Sequence, residues 1–245
     1  MLTLPDRPSL DHLRKQARDL QKEGGLKLAS AQRELAKRYG FRDWTALRAH
    51  VLGLRLDAAV NDALGGRVSP DLSGDDPVFR LLKGDAAGID PRKTLAPRDW
   101  PPLLYVAFSR VSTPEARRAA VADLLSRGAE PNVHWIHPQY PEPPQTAVAA
   151  SVWIHFDVEM LRLLLDAGAE PNDGEGMYHG TEQDGHACLR LLIERGASVK
   201  GHNALAHMLD REDPEGLALL LDRWGEPDDE LHRALHFALT RGRGD

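Results

Sequence analysis

The stretch PNDGEGMYHGTEQDGHAC at residues 171–188 concentrates side chains that can do chemistry. Four of them fall within one or two turns of a predicted helix: Glu175, Tyr178, His179 and Glu182. A carboxylate and an imidazole at this spacing can act as an acid and a base, and Arg110 from an adjacent unit can hold an anion beside them. One interpretation of the chain is therefore an enzyme or a small-molecule binder that uses this cluster.

Two histidine pairs have the residue types of a metal site. His134 and His137 lie in a Pro-rich loop, and two histidines alone do not complete a tetrahedral zinc site, which needs three or four ligands. His232 and His236 have the i, i+4 spacing of a helical metal pair, but Arg233 stands where the zinc hydrolase motif has its Glu. The sequence thus predicts neither a metal nor a cofactor, and it favours a loop at 134–137 that contacts a partner.

Cys188 is the only cysteine of the 245 residues, and it falls within the apolar run CLRLL. A catalytic thiol needs an exposed, electropositive setting, so we expect a buried and inert one. A single cysteine excludes an internal disulfide framework and fits a reducing compartment. The chain shows neither a signal segment nor a long apolar run, which predicts a cytoplasmic protein that does not enter a membrane.

The charge divides the chain into two regions. Residues 1–56 hold 12 Lys and Arg against 6 Asp and Glu, whereas the remainder holds 19 against 31. The hydrophobic content of 42% indicates an ordered chain. We therefore expect two folded regions, a short basic one and a longer acidic one.

Four segments of the acidic region repeat one pattern, which indicates an array of similar units. Each has a leucine-rich helix end, two polar residues, a small residue and a turn with Pro or Val. They are ADLLSRGAEPN at 122–132, LRLLLDAGAEPN at 161–172, LRLLIERGASV at 189–199 and LALLLDRWGEPD at 217–228. Leu163, Leu191 and Leu219 lie 28 residues apart, so one unit recurs with a variable loop.

A second, shorter helical signal accompanies these segments. It occurs as PPLLYVAFSR at 101–110, QTAVAASVW at 145–153, GMYHGTE at 176–182, NALAHMLD at 203–210 and RALHFALTRG at 233–242. Each predicted unit is thus a helix, a turn, a second helix and a projecting loop. The extra length of one unit lies in the loop PNVHWIHPQYPEPPQ at 131–145.

This layout resembles that of ankyrin repeats. LLLDAGAEPN matches the family's LLLxxGADxN, GHACLRLL its GHxEVVxLL, and ALHFALTRG its TPLHxAAxxG, although PPLL, TAVA, GMYH and NALA replace TPLH. The resemblance implies an all-α ankyrin repeat solenoid over residues 56–245 with four to five divergent repeats. Residues 56–93 would form a degenerate first repeat, and the last unit a half-repeat cap. His179 takes the family's LH position, which implies that it braces neighbouring turns.

The spacing of apolar residues predicts which helix faces are buried. In DVEMLRLLL the apolar side chains recur at helical spacing and should face neighbouring units: Val158, Leu161, Leu164 and Leu165. Gly168 and Gly196 follow the last turn, where a left-handed cap favours glycine. Trp224 replaces this glycine in the fourth unit and Gly225 follows it, so we expect the cap there to shift.

The basic region, residues 1–55, is predicted to be a three-helix module. Ser9 and Asp43 can cap the first and third helices, and Gly40 can end the second. The apolar side chains that should form its core are Leu10, Leu13, Ala17, Leu20, Leu35, Tyr39, Trp44, Leu47 and Val51. The region also resembles a helical module that precedes ankyrin repeats in a group of bacterial proteins.

The same region admits a nucleic-acid interpretation. ELAKRYGFRDWTALRAH places a helix on either side of a turn, as a helix-turn-helix does, and Arg42 and Arg48 could reach a phosphate or a base edge. Acidic residues interrupt the basic ones, and the acidic array would repel a duplex. The sequence therefore favours a packing module, with a DNA-associated regulator as an alternative.

The resemblance implies a non-enzymatic, monomeric protein that binds a protein partner through the concave surface of first helices and loops. Aromatic residues are the natural anchors of such a surface, because they bury a large area at a small entropic cost. The predicted contact residues are Trp100, Tyr105, Arg110, Trp135, Tyr140, Glu175, Tyr178, Glu182, His207 and Phe237.

Overall fold

The computed structural model describes residues 2–69 and 75–241, and its regular structure is almost entirely helical. This confirms the all-α prediction for the described part. The remaining residues include 70–74, within the predicted degenerate repeat, and 242–245, at the end of the predicted cap; both lie outside the described residues.

The first three helices form a small bundle. They are α1 (Leu10–Gly24), α2 (Leu28–Arg38) and α3 (Trp44–Leu64). The Ser9 side chain accepts from the His12 amide and that of Asp43 from the Ala46 amide, as predicted for the two caps. All nine predicted core side chains belong to one hydrophobic cluster, in which Leu20, Tyr39 and Trp44 are partly buried.

Helix α3 continues through the predicted boundary at residues 55 and 56, so this boundary lies inside a helix and not in a linker. Gly53 lies inside α3 and has no neighbouring atoms around its Cβ position. The helix contains no proline after Gly53, so nothing interrupts its backbone hydrogen bonds there. The second half of α3 contributes Ala59, Val60 and Ala63 to the core of the array. One helix therefore serves both hydrophobic cores.

The rest of the chain forms two rows of helices. The second row comprises α4 (Pro77–Leu82), α6 (Pro114–Ser126), α8 (Val158–Asp166), α10 (Ala187–Glu194) and α12 (Pro214–Leu221). The first row comprises α5 (Pro102–Phe108), α7 (Ala147–Ala149) with the π-helix π1 (Ala150–Ile154), α9 (Gly176–Gly180), α11 (Ala204–Arg211) and α13 (Asp229–Thr240).

Neighbouring units stack through both rows. In the first row, α5 contacts α7 and π1, these contact α9, α9 contacts α11, and α11 contacts α13. In the second row, α6 contacts α8 and α8 contacts α10. One hydrophobic cluster extends from Ala59 to Ala234 as a result, and it is the core of the whole array.

The predicted register of the leucine-rich helices is confirmed. In α8, Leu161, Leu164 and Leu165 are buried and Val158 is partly buried. Gly168 and Gly196 have φ values of 92° and 88°, the left-handed conformation predicted for these caps. Trp224 is buried, and Gly225 takes the positive φ of 76°, so the cap of this unit shifts by one residue as expected.

The long Pro-rich loop is a small hairpin. Its strands β1 (His134–Trp135) and β2 (Gln145–Thr146) pair antiparallel, with His134 opposite Thr146. The Thr146 side chain accepts from the Ala149 amide and caps α7, which joins the hairpin directly to the first row. The hairpin thereby fixes the loop that was expected to contact a partner.

His155 joins the end of π1 to α5. Its Nε2 lies 2.8 Å from the carbonyl oxygen of Ala107. Burial, reinforced by nearby Arg117, lowers the pKa of His155 from 6.5 to about 4. The folded protein therefore holds this ring neutral at pH values where an unfolded chain would protonate it.

Replacing Leu164 by Ala should lower the free energy of unfolding by roughly 2–5 kcal/mol, because the change leaves a cavity between stacked units. Chemical denaturation monitored by circular dichroism measures this loss. Arg162→Ala, an exposed position on the same helix, is the control and should change the free energy by less than about 0.5 kcal/mol. Equal stability of Leu164→Ala and wild type would contradict the stacking register.

The protein should lose stability on acidification through His155. Because the pKa is lower in the folded than in the unfolded state, the contribution of this group is fully present above pH 6.5 and falls as the pH approaches 4. The loss at pH 4 should be of order 1–3 kcal/mol. His155→Gln keeps an N–H donor and should flatten the pH dependence of the unfolding free energy between these values. An unchanged pH profile would show that His155 does not cause the loss.

Candidate functional site

Two open cavities lie along the array. The hairpin cavity, with a volume of about 520 Å³, is bordered by the hairpin, α9 and the end of π1. The terminal cavity, with a volume of about 570 Å³, lies between α9, α11 and α13. Both are lined mainly by side chains of the first row and its loops, so this face of the array is the candidate site.

The cavities collect seven of the ten predicted contact residues. Four line the hairpin cavity: Arg110, Trp135, Tyr140 and Glu175. Three line the terminal cavity: Tyr178, His207 and Phe237. Glu182 lines neither of them, but its side chain contacts His179, which borders the hairpin cavity.

A row of stacked rings connects the two cavities. Trp153 stacks on His179 with 5.3 Å between ring centroids, and Tyr178 stacks on His207 at 4.6 Å. Tyr178 also meets His179 edge to face at 5.1 Å. We call these four residues the aromatic ladder. They come from three successive first-row helices, so the ladder crosses the units instead of following one helix.

Glu175, His179 and Glu182 form a carboxylate–imidazole–carboxylate cluster on and beside α9. The His179 Nε2 lies 3.0 Å from Glu175 Oε2, and its Nδ1 lies 2.9 Å from Glu182 Oε2. A neutral imidazole has one N–H, so both contacts together require an additional proton on the ring or on a carboxyl group. Burial raises the pKa of Glu175, which favours the protonated form of that carboxyl group.

His207 is held at the other end of the ladder. Its Nδ1 contacts Thr181 Oγ1, and the Thr181 hydroxyl also donates to the carbonyl oxygen of Tyr178. Partial burial lowers the pKa of His207. The ring therefore favours the neutral form that stacks on Tyr178.

Two predicted contact residues are buried, and their assignment to the surface is wrong. Tyr105 is fully buried, and Trp100 is 6% exposed. The Tyr105 hydroxyl donates to the carbonyl oxygen of Leu95 at 2.8 Å, and burial raises its pKa to about 12. The irregular segment at 95–100 lies against α5, which also packs against α4, α6, α7 and π1, and all seven residues of that helix are buried.

Two aromatic residues that line the hairpin cavity, Phe108 and Trp153, were not predicted from the sequence, whereas His137 lies in the loop that was expected to contact a partner. Trp153 ends the helical signal QTAVAASVW, which parallels GMYHGTE in the next unit. In the structure Trp153 stacks on His179 of that next unit.

The remaining residues that could do chemistry, Cys188, His232 and His236, lie outside the two cavities. Cys188 is buried as predicted, and burial raises its pKa to about 12, which disfavours the thiolate. His232 and His236 are exposed on α13. Within residues 2–69 and 75–241, no group of three or more His, Cys, Asp or Glu has the arrangement of a metal site.

The helix-turn-helix candidate retains its arrangement of two contacting helices, α2 and α3. Arg42 Nε lies 2.8 Å from Asp43 Oδ2, so this arginine belongs to the cap of α3. The Ala46 amide and Arg42 lower the pKa of Asp43. Arg48 is exposed.

Comparisons with protein-family models, with curated proteins and with solved structures give no match to this chain. Among the described residues, no helix has the length and apolar character needed to cross a lipid bilayer.

Replacing Tyr105 by Phe should lower the free energy of unfolding by about 1–2 kcal/mol, because the carbonyl oxygen of Leu95, a partly buried residue, loses its donor. Tyr140→Phe is the matched control. Tyr140 is 70% exposed, so the loss of its hydroxyl should leave the free energy of unfolding unchanged. Thermal denaturation of the two variants measures the difference. If Tyr105→Phe were as stable as Tyr140→Phe, the buried hydrogen bond would contribute nothing.

Proposed function

We propose that residues 56–241 form an ankyrin-type array that binds a protein partner, without catalysis, along the aromatic ladder and its two flanking cavities. The ladder is the observation that carries the proposal. Its four rings are partly exposed and line one or the other cavity. Partly exposed aromatic rings that neighbouring units hold in place are the type of anchor on which protein interfaces depend.

The stacking in two rows supports the ankyrin-type assignment. First-row helices contact each other across units, and the first-row and second-row helices contribute almost equally to the buried cluster. The hairpin at 134–146 takes the place of a projecting loop beside the groove. Each of these features agrees with the resemblance in LLLDAGAEPN and GHACLRLL.

The chemistry of the cluster on α9 favours binding over catalysis. Both nitrogens of His179 contact carboxylates of its own segment, so neither is free to exchange a proton with a ligand. The nearest nucleophilic side chains are also occupied or hidden, because the Thr181 hydroxyl is hydrogen-bonded and the Cys188 thiol is buried. An imidazole fixed in this way holds the shape of the groove.

Selection of random short peptides on the full chain tests the proposal. Peptides that bind the groove should lose about tenfold or more in affinity when Tyr178 and His207 are both replaced by Ala, since anchor residues contribute most of the binding energy. Fluorescence anisotropy measures the dissociation constants. Phe156→Ala is the matched control, because Phe156 is an exposed aromatic residue that lines neither cavity.

The control should bind with wild-type affinity. Failure to enrich any peptide would contradict the proposal, as would enriched peptides whose affinity is the same for wild type and for the Tyr178→Ala, His207→Ala protein. Circular dichroism of each variant shows whether a lost affinity comes with a lost fold.

A further inference from the structure

Arg110 brings a cation to the hairpin cavity, and no carboxylate among the described residues forms an ion pair with it. The side chain is exposed, and its guanidinium carbon lies 5.8 Å from the centroid of the Trp153 ring. Arg118 of the same array is paired instead, since its Nε binds both carboxylate oxygens of Asp157. A guanidinium presents its N–H groups in a planar fork that fits a carboxylate.

His137 gives the same cavity a second hydrogen-bond donor. Its Nδ1 accepts from the backbone amides of Gln139 and Tyr140, each at 3.2 Å. Because Nδ1 is the acceptor, the proton of the neutral ring lies on Nε2, which therefore donates. Arg110 and His137 both favour an occupant that supplies acceptor oxygens.

Glu175 is the carboxylate in the wall of this cavity, and its Oε2 is 3.0 Å from His179 Nε2. This contact partly satisfies Glu175 and leaves Arg110 as the charge in the cavity without a partner of its own. The positive charge of a basic occupant would be repelled by that guanidinium. A wholly apolar occupant would displace the water bound to the guanidinium and offer no hydrogen bonds in its place.

Flat apolar surfaces complete the cavity. Trp135 packs against Trp100 and Phe108, with ring centroids 5.0 Å and 5.7 Å away. Trp153 is held by its stacking on His179. Rings fixed in this manner form a preorganised surface for another ring or a large aliphatic side chain.

We propose that the hairpin cavity recognises an acidic side chain next to an aromatic or large apolar residue in the partner segment. The acidic side chain pairs with Arg110, and its neighbour packs on Trp135 and Trp153. This inference rests on the proposed function, and it adds the chemical identity of the segment that the groove selects. The acidic character of the occupant follows from charge complementarity to Arg110.

A double-mutant cycle tests the pairing. Random peptides are selected on the full chain, and the best binder is compared with its Glu→Gln or Asp→Asn form on wild type, Arg110→Gln and Arg33→Gln. The control is Arg33, an exposed arginine of α2 that is distant from Arg110 in the sequence. The acid-to-amide change should weaken binding about tenfold or more on wild type and on the control, but less than about twofold on Arg110→Gln.

Enriched peptides without an acidic residue beside an aromatic or large apolar one would overturn the inference, and so would an acid-to-amide effect that is equal on all three proteins. In either case a loss of affinity on the Tyr178→Ala, His207→Ala protein would leave the proposed function standing.

Phenylacetate is titrated alone as a small aromatic acid. Its binding at Arg110 without any enriched peptide would overturn the peptide assignment and the proposed function together.

Discussion

The stability of the array depends on burial between units, because no single helix pair can bury its own apolar face. Leu161 and Leu164 are fully buried only because α6 and α10 pack on either side of α8. The left-handed caps at Gly168 and Gly196 end each leucine-rich helix at the same place relative to the next unit. The spacing between first-row helices, and therefore the groove, follows from this stacking.

The same stacking explains why the candidate site has the form of a ladder. The ladder draws only one or two side chains from each of π1, α9 and α11. Trp153, His179 and His207 belong to three different helices, yet they approach within stacking distance of one another or of Tyr178. A surface built in this way is supported by contacts between units, since every ring rests on a ring of its neighbour.

Local signals in the sequence predicted local structure well. The cap at Asp43 and the turn at Gly168 depend on residues within a few positions, and the structure has both. The boundary between residues 55 and 56 was predicted from the change in charge, which does not show that one helix continues through it. Tyr105 and Trp153 were misassigned or missed for another reason: the irregular segment at 95–100 folds over Tyr105, and a ring of the next unit stacks on Trp153. Such contacts depend on tertiary structure, which periodicity does not contain.

Helix α3 gives the two cores a common mechanical element. Its first half packs into the N-terminal bundle through Leu47 and Val51, and its second half into the array through Val60. Arg7 adds a second attachment, since its guanidinium binds both oxygens of Asp62 near the end of the helix. A continuous helix has no hinge, so a force applied to the bundle is transmitted as tension and torque to the first layer of the array. The continuous helix thus couples the orientation of the bundle to that of the first layer of the array.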